Sequence, residues 1–474
     1  MDASMGDRYA SSAVVGIRDV CWSHSSETGE VKMKRAGPED PVRHQSSIME
    51  LLGISPSGSG LYPQMVQRML SAAEVIGMPS DIQMILARPK NEIIVHFPVL
   101  MDDGEHRMYT GYRIQHNDAL GPFKGGMRFA PQMSQSDLGG LAMLMMLKCA
   151  LLRLPFGGAA GGVVCDPRVL SRDELMRVVR RYASSIGHHI GPDYDIPGPD
   201  VGADSQVMAW FADTASQMTP DRNRQGMRAI VTGKPVEIGG ANGREIATGT
   251  GFIHMLRDIL PDFNKKIHGL RFSVCGFGKI GSQVARILTA EGAVMVGVLD
   301  NQGGILSAAG IEPEAVAERM RSNGNLGGVS GTKAVNEEMF FREPVDLLLL
   351  AAGEQSMSRQ CAEWVAAPIV AEIAHAPWTA DSDDVLFQRG IEVLPSVLCN
   401  AGAVVGSFLE WTQNRTFIPW TSAQFDKEIE QSMVLATRRM KLARMRFECD
   451  WRTAAYAAAL EHLGRVYELR GVFP

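Results

Sequence analysis

The seven cysteines, at 21, 149, 165, 275, 361, 399 and 449, include no Cys-x-x-Cys pair. Scattered thiols of this kind, several inside apolar runs, argue against a disulfide or zinc framework and fit buried thiols in a reducing compartment. No metal site is expected. No run of about 18 uninterrupted apolar residues occurs, so no transmembrane helix is expected. The first 45 or so residues have no apolar core of a secretory signal, and Asp2, Asp7 and Asp19 weaken a mitochondrial transit reading. A cytoplasmic protein is the expectation. Excess charge is lacking too. With 47 Lys and Arg against 53 Asp and Glu, the formal net charge is -6, and no long polybasic stripe appears. Neither nucleic acid nor an anionic membrane is an expected partner.

What is present is a long chain of ordinary globular composition. Its 474 residues, 45% hydrophobic and 21% charged, exceed what one hydrophobic core usually organises, so two domains with extensions are expected. The reading divides the chain into a flexible tail (1–48), a first domain (49–237), a second domain (238–402) and a helical segment (403–474) that returns to pack on the first domain.

From Ser57 to Met78 the apolar residues recur at helical spacing. Asn91–Leu100 and Arg107–Gln115 are β-rich runs separated by Asp102-Asp103-Gly104, a hairpin signal. Ser134–Leu152 resumes the helical period, with Ser134 or Ser136 as N-cap. Ser171-Arg172-Asp173-Glu174 opens another helix with a capping box, ending near Gly187. Glycine and proline cluster at 121–126, 157–162 and 191–202, in loops of the kind that carry sites. After the glycine-rich connection Pro235–Gly251, helices alternate with apolar strands at Leu270–Cys275, Val294–Asp300, Val345–Ala351, Ile369–Ala371 and Ile391–Pro395. That alternation predicts a parallel, doubly wound sheet.

Gly276-Phe277-Gly278-Lys279-Ile280-Gly281 follows the first of these strands and opens a helix. A lone GxGxxG often marks only a tight turn. Here a second strand ends in Asp300, about 20 residues beyond, as a dinucleotide site requires. Gly276, Gly278 and Gly281 let the backbone approach a pyrophosphate at a helix N-terminus. Asp300 would accept from the ribose hydroxyls and repel a 2′-phosphate, and Asn301-Gln302-Gly303-Gly304 offers no cation to neutralise one. NAD is therefore expected over NADP.

Further segments carry a family resemblance. Tyr112–Asn117 followed by Gly121-Pro122-Phe123-Lys124-Gly125-Gly126-Met127-Arg128-Phe129, then Leu147-Lys148-Cys149-Ala150, Asp195-Ile196-Pro197-Gly198-Pro199-Asp200-Val201-Gly202, Thr232-Gly233-Lys234-Pro235, Ala247-Thr248-Gly249 and Asn400-Ala401-Gly402 with Ser407, Glu410 and Trp411 resemble the motifs of the glutamate, leucine, phenylalanine and valine dehydrogenase family. They span residues 109 to 415. The resemblance implies an α/β fold of two domains: an N-terminal substrate domain with a mixed sheet, and a Rossmann-like NAD domain. It also implies a homo-oligomer, most often a hexamer, or a mixed oligomer with an active paralogue. By the same resemblance Lys148 holds the α-carboxylate of an amino acid or 2-oxo acid, and Lys124 and Ser407 contact the side-chain carboxylate of a glutamate-like substrate. Thr248 and Asn400 lie by the nicotinamide, and Asp200 is the general acid and base. Read from residue type alone, Asp200 suits a turn or the N-cap of a helix over Val201–Ser216 better than a catalytic role. Asp195 is the weaker catalytic candidate, and His188 and His189 read as helix-end residues.

The departures are as informative. In Gly157-Gly158-Ala159-Ala160-Gly161-Gly162, Ala160 stands where the family pattern has its catalytic lysine. Loss of a positioned acid–base group costs on the order of 10²- to 10⁴-fold in rate and deprives Asp200 of a cation favouring its ionised form. His375 stands for a usual asparagine, where an imidazole could shuttle protons near neutral pH or reflect drift. Gly198 stands for a usual alanine, Thr250 for an arginine and Ser396 for an aspartate. Two functions follow: a glutamate-like NAD-linked dehydrogenase with impaired or altered activity, or a non-catalytic NAD- or amino-acid-binding regulatory subunit.

Overall fold

The computed structural model describes residues 20–24, 31–35, 41–55, 60–218 and 226–472. Most of the tail expected to be flexible lies outside these residues. Within it, Val20–His24 and Val31–Arg35 pair as an antiparallel ribbon and Pro41–Leu51 is helical.

Two sheets organise the rest. The first runs in the order Asn91–Leu100, His106–Asn117, Gly158–Val164, Phe123–Ala130, Asp195–Pro199. Its first two pairings are antiparallel and its last two parallel, so the sheet is mixed as expected. Asp102-Asp103-Gly104 makes the hairpin turn. The Gly158–Val164 strand is central, which places Ala160 opposite Ile114 and lets Gly161 and Gly162 pack against Arg113 and Tyr112.

The second sheet holds five parallel strands, in the order Val294–Asp300, Arg271–Cys275, Leu347–Leu350, Ile369–Glu372, Glu392–Leu394. These match the apolar runs in the sequence. An antiparallel extension, Gly303–Leu306 and Lys333–Val335, adds two strands at one edge. It follows Asp300 through a turn too short for a crossover helix, and parallel pairing needs such a crossover.

Gln135–Leu152 is long and apolar enough to span a membrane by length and composition. Instead it is a core helix, apolar on nearly every face and packed on the first sheet and on helices Leu61–Val75 and Trp451–Arg470. Ser134 starts it through a capping box with Asp137, and Ser171 does the same with Glu174 for Arg172–Ile186. Each such cap contributes about 1 kcal/mol. The last two helices, Ser422–Phe447 and Trp451–Arg470, tie the halves together: the former packs on Ala247–Ile259, the latter on the first domain's helices.

Candidate functional site

A cavity of about 760 Å³ lies between the two sheets. Its wall includes Lys124, Lys148, Ala160, Asp200, Thr248, Asn400 and Ser407, residues separated by up to 283 positions in the chain and brought together by the folding of both halves. Gly276, Gly278, Gly281 and Asp300 are not part of this wall, but Lys279 and Ile280, within the glycine fingerprint, are.

Lys148 comes from the core helix and is 1% exposed. Its Nζ lies 3.0 Å from His375 Nδ1, across the cavity. Asn400 Nδ2 also points at His375 Nδ1, at 3.2 Å, while donating to the Ile373 carbonyl at 3.0 Å. Two donors converging on one ring nitrogen require it to be the acceptor, so the imidazole proton sits on Nε2. Burial, reinforced by the Lys148 cation, pulls His375 down to about 4. The imidazole is therefore neutral through the physiological range, which argues against the proton-shuttle alternative for His375 and favours the drift alternative. Burial also draws Lys148 down to about 7, against the opposing pull of Asp200.

Asp200 follows the edge strand Asp195–Pro199. Its Oδ1 accepts from the Val201 amide at 2.7 Å, and Arg128 Nη2 donates to its two oxygens at 3.2 and 3.4 Å. Burial works to raise the Asp200 carboxyl, but Arg128, His375 and the Val201 amide together outweigh it and hold the group below the usual carboxylate range. The loss of an ammonium at position 160 has therefore not left Asp200 without a cation. Arg128 also reaches across to Glu354 in the second domain, at 2.7 and 3.0 Å, so one guanidinium joins two carboxylates from opposite sides of the cleft. The N-cap role considered for Asp200 is taken by Asp204, which accepts from the Val207 amide at the start of Ser205–Met218.

At the other end, Lys124 is 3% exposed and its ammonium makes no hydrogen bond or ion pair with a described residue. Burial, with Arg244 and Arg113 nearby, brings it down to about 7. Ser407 Oγ accepts from Arg244 Nη2 at 3.2 Å. Beneath them, Lys234 and Glu410 form a buried pair at 2.8 Å. Asp195 is not part of the cavity. It binds Arg113, both side chains fully buried, and accepts from Gln115 at 2.8 Å, bracing the strand Asp195–Pro199 to His106–Asn117. His188 and His189 are exposed in a single turn after the Arg172–Ile186 helix.

The fingerprint has the shape a nucleotide needs. Gly276 has φ +94°, and a Cβ there would lie 2.6 Å from the Ala351 backbone. Gly278 faces open space at the N-terminus of Lys279–Ala290. Asp300 Oδ1 accepts from the Gln302 amide, while Oδ2 is buried with no partner among the described residues. Two acceptors with one left over fit a ribose diol, and the residues present therefore fit a dinucleotide.

Comparison with known proteins settles the relationship. Residues 89–217 match the model of the Glu/Leu/Phe/Val dehydrogenase dimerisation domain, and 239–471 that of the glutamate/leucine/phenylalanine/valine dehydrogenases. The glutamate dehydrogenase of Thermotoga maritima is 39% identical over 419 residues, 87% of this chain and 99% of that one. The chain belongs to this family. The NADP-specific glutamate dehydrogenase of Synechocystis is 36% identical, covering 87% of this chain and 97% of its own. Among solved structures, the hetero-hexameric glutamate dehydrogenase of Thermus thermophilus, in a leucine-bound form, superposes with a TM-score of 0.82 at 34% identity, covering 92% and 99%.

For a member of this family, three side chains at the site carry roles that sequence reasoning did not assign. Arg128 lay inside a quoted motif, and Arg244 in the glycine-rich connection, where an isolated arginine gives no local signal. Glu354 follows the strand Leu347–Leu350 and only tertiary contact brings it to Arg128.

Proposed function

We propose that this chain binds NAD and a dicarboxylic 2-amino acid of the glutamate class, with its 2-oxo acid, and interconverts the pair slowly by oxidative deamination and reductive amination. The observation that carries this reading is the state of the two cavity lysines. Lys124 and Lys148 are almost wholly buried, and neither has a carboxylate bound to it among the described residues. Burying an ammonium without a counter-ion is costly, and a ligand with two carboxylates would supply both partners. When bound, the nicotinamide accepts the hydride from the substrate Cα. Asp200, ionised beside Arg128, is the chain's own base for the amine proton. Ala160 offers only a methyl group to the same space, so turnover falls by about 10²- to 10⁴-fold. Asp300 and the absence of a neighbouring cation support NAD, although a relative as similar as that of Synechocystis is NADP-specific. We take the working form to be a hexamer in the cytoplasm.

One observation favours a second reading, a non-catalytic subunit of a mixed hexamer. The groups around the reacting centre are engaged with each other, Lys148 with His375 and Arg128 with Asp200 and Glu354, and no amine stands at 160. The resemblance to a hetero-hexameric enzyme is consistent with it. Measuring NADH oxidation with 2-oxoglutarate and ammonium, alongside a thermal-shift panel of glutamate, 2-oxoglutarate, leucine and phenylalanine, separates the two. Slow turnover with dicarboxylates ranking highest supports the first. Dicarboxylate binding without turnover supports the second, and a higher ranking for leucine or phenylalanine refutes the acidic pocket.

A further inference from the structure

Arg128 is divided unequally between its two carboxylates. Glu354 takes it in a fork, Nη1 at 3.0 Å and Nη2 at 2.7 Å, whereas Asp200 receives Nη2 alone, at 3.2 and 3.4 Å. The third nitrogen, Nε, is buried with no partner among the described residues. Asp200 itself is held in place: the Val201 amide donates to its Oδ1, and a Cβ on Gly126 would lie 2.7 Å from its own Cβ. The placing of the guanidinium therefore sets how far the Asp200 charge is engaged, and Glu354 sets the placing of the guanidinium.

Glu354 is in turn positioned by a strained pair of loops. Gln355 and Ala376, neither of them glycine, lie at φ +47° and +38°, and the Gln355 amide donates to the Ala376 carbonyl at 3.0 Å. Gln64 of the first domain ties both loops, accepting from Gln355 Nε2 at 3.2 Å and donating to the Trp378 carbonyl at 2.9 Å. Left-handed backbone at such residues persists only where the surroundings over-determine it. Here they fix Glu354 against the first domain.

We propose that Glu354 is a positioning residue for Asp200: by holding the Arg128 fork, it leaves the Asp200 carboxylate free to accept from the ammonium of a bound 2-amino acid. This rests on the glutamate-like reading of the cavity above. Freed from Glu354, the guanidinium would present two nitrogens to Asp200, the usual geometry of an arginine–carboxylate pair, and the ammonium would lose its acceptor. A 2-oxo acid has no ammonium and would not register the change.

The test is titration calorimetry of the full chain with glutamate and 2-oxoglutarate, on the native protein, Glu354→Gln and Glu354→Asp. Glu354→Gln is expected to bind glutamate at least about tenfold more weakly, the loss of one charge-assisted hydrogen bond, with 2-oxoglutarate changed by less than about threefold. Glu354→Asp, which keeps the charge with a shorter reach, is expected to fall between. If Glu354→Gln does not fold, the same selective loss in Glu354→Asp decides. In an Asp200→Asn background, the effect of Glu354→Gln on glutamate is expected to shrink below about threefold. Its persistence there would mean that Glu354 acts on the ligand directly, and would overturn the inference. An unchanged glutamate affinity, or an equal change for both acids, overturns it as well and leaves the glutamate-like reading standing. Binding of neither acid by the native chain overturns both.

Discussion

Dicarboxylate binding to this protein is expected to take up protons, and the amount follows from the two buried lysines. Lys124 and Lys148 each titrate near 7 in the ligand-free cavity, chiefly because burial disfavours the ammonium. A bound carboxylate stabilises the charged form and returns each group toward its ordinary value of about 10.4. Between those limits the complex holds more protons than the free protein, so affinity falls as pH rises. At pH 8 each free lysine is about 90% neutral, and binding takes up about 0.9 proton per lysine, about 1.8 in all. At pH 6 the uptake drops to about 0.2. Across pH 8 to 9 the dissociation constant for 2-oxoglutarate is expected to rise by nearly 100-fold, two factors of ten from two lysines. Calorimetry at pH 6 and pH 8, in buffers of different ionisation enthalpy, measures the uptake directly. Lys124→Met should halve it at pH 8. An uptake near zero at pH 8, with affinity flat from pH 6 to 9, would refute the assignment of both lysines to the ligand's carboxylates. The ligand-free chain carries the opposite signature. Its unfolded state holds these protons between about pH 7 and 10.4, so both groups make it more stable as pH rises through that window.

Ala160→Lys is expected to raise oxidative deamination of glutamate by at least about tenfold, since part of a 10²- to 10⁴-fold acid–base contribution is recovered. Should His375 and Thr250 also impair the nicotinamide side, the gain will require His375→Asn and Thr250→Arg in addition; native activity abolished by Ala160→Lys would refute the missing-amine argument. Asp300→Ala should weaken NADH binding and narrow the discrimination against NADPH in fluorescence titration, and a native preference for NADPH would refute the role given to Asp300. Asp195→Asn removes the charge paired with fully buried Arg113 and should cost about 3 to 5 kcal/mol in urea denaturation, whereas a loss below about 1 kcal/mol would show that Arg113 finds another partner.

Legibility in the sequence tracked how local each physical cause was. Ser134 and Ser171 start helices through carboxylates three residues away, so both starts could be read from a short segment. The strand Arg271–Cys275, the glycines after it and Asp300 share one βαβ unit, and a fixed spacing sufficed. The edge strands Gly303–Leu306 and Lys333–Val335 were not legible, because short strands owe their pairing to a neighbour already in place. The cation that holds Asp200 ionised was not legible for the same reason. It is Arg128, 72 residues earlier, whose orientation is shared with Glu354, 226 residues away from it.

The sequence alone thus determined the fold class, the nucleotide fingerprint and the absence of an amine at position 160, each a property of residue type and near-neighbour spacing. Only the tertiary structure decided which charges meet. Lys148 with His375, Arg128 between Asp200 and Glu354, and the close approach of Lys124 and Thr232 to Gly198 all arise where separate elements converge. Electrostatic energy and burial depend on distance through space and on exclusion of water, and neither quantity exists until the two halves have packed around the cavity.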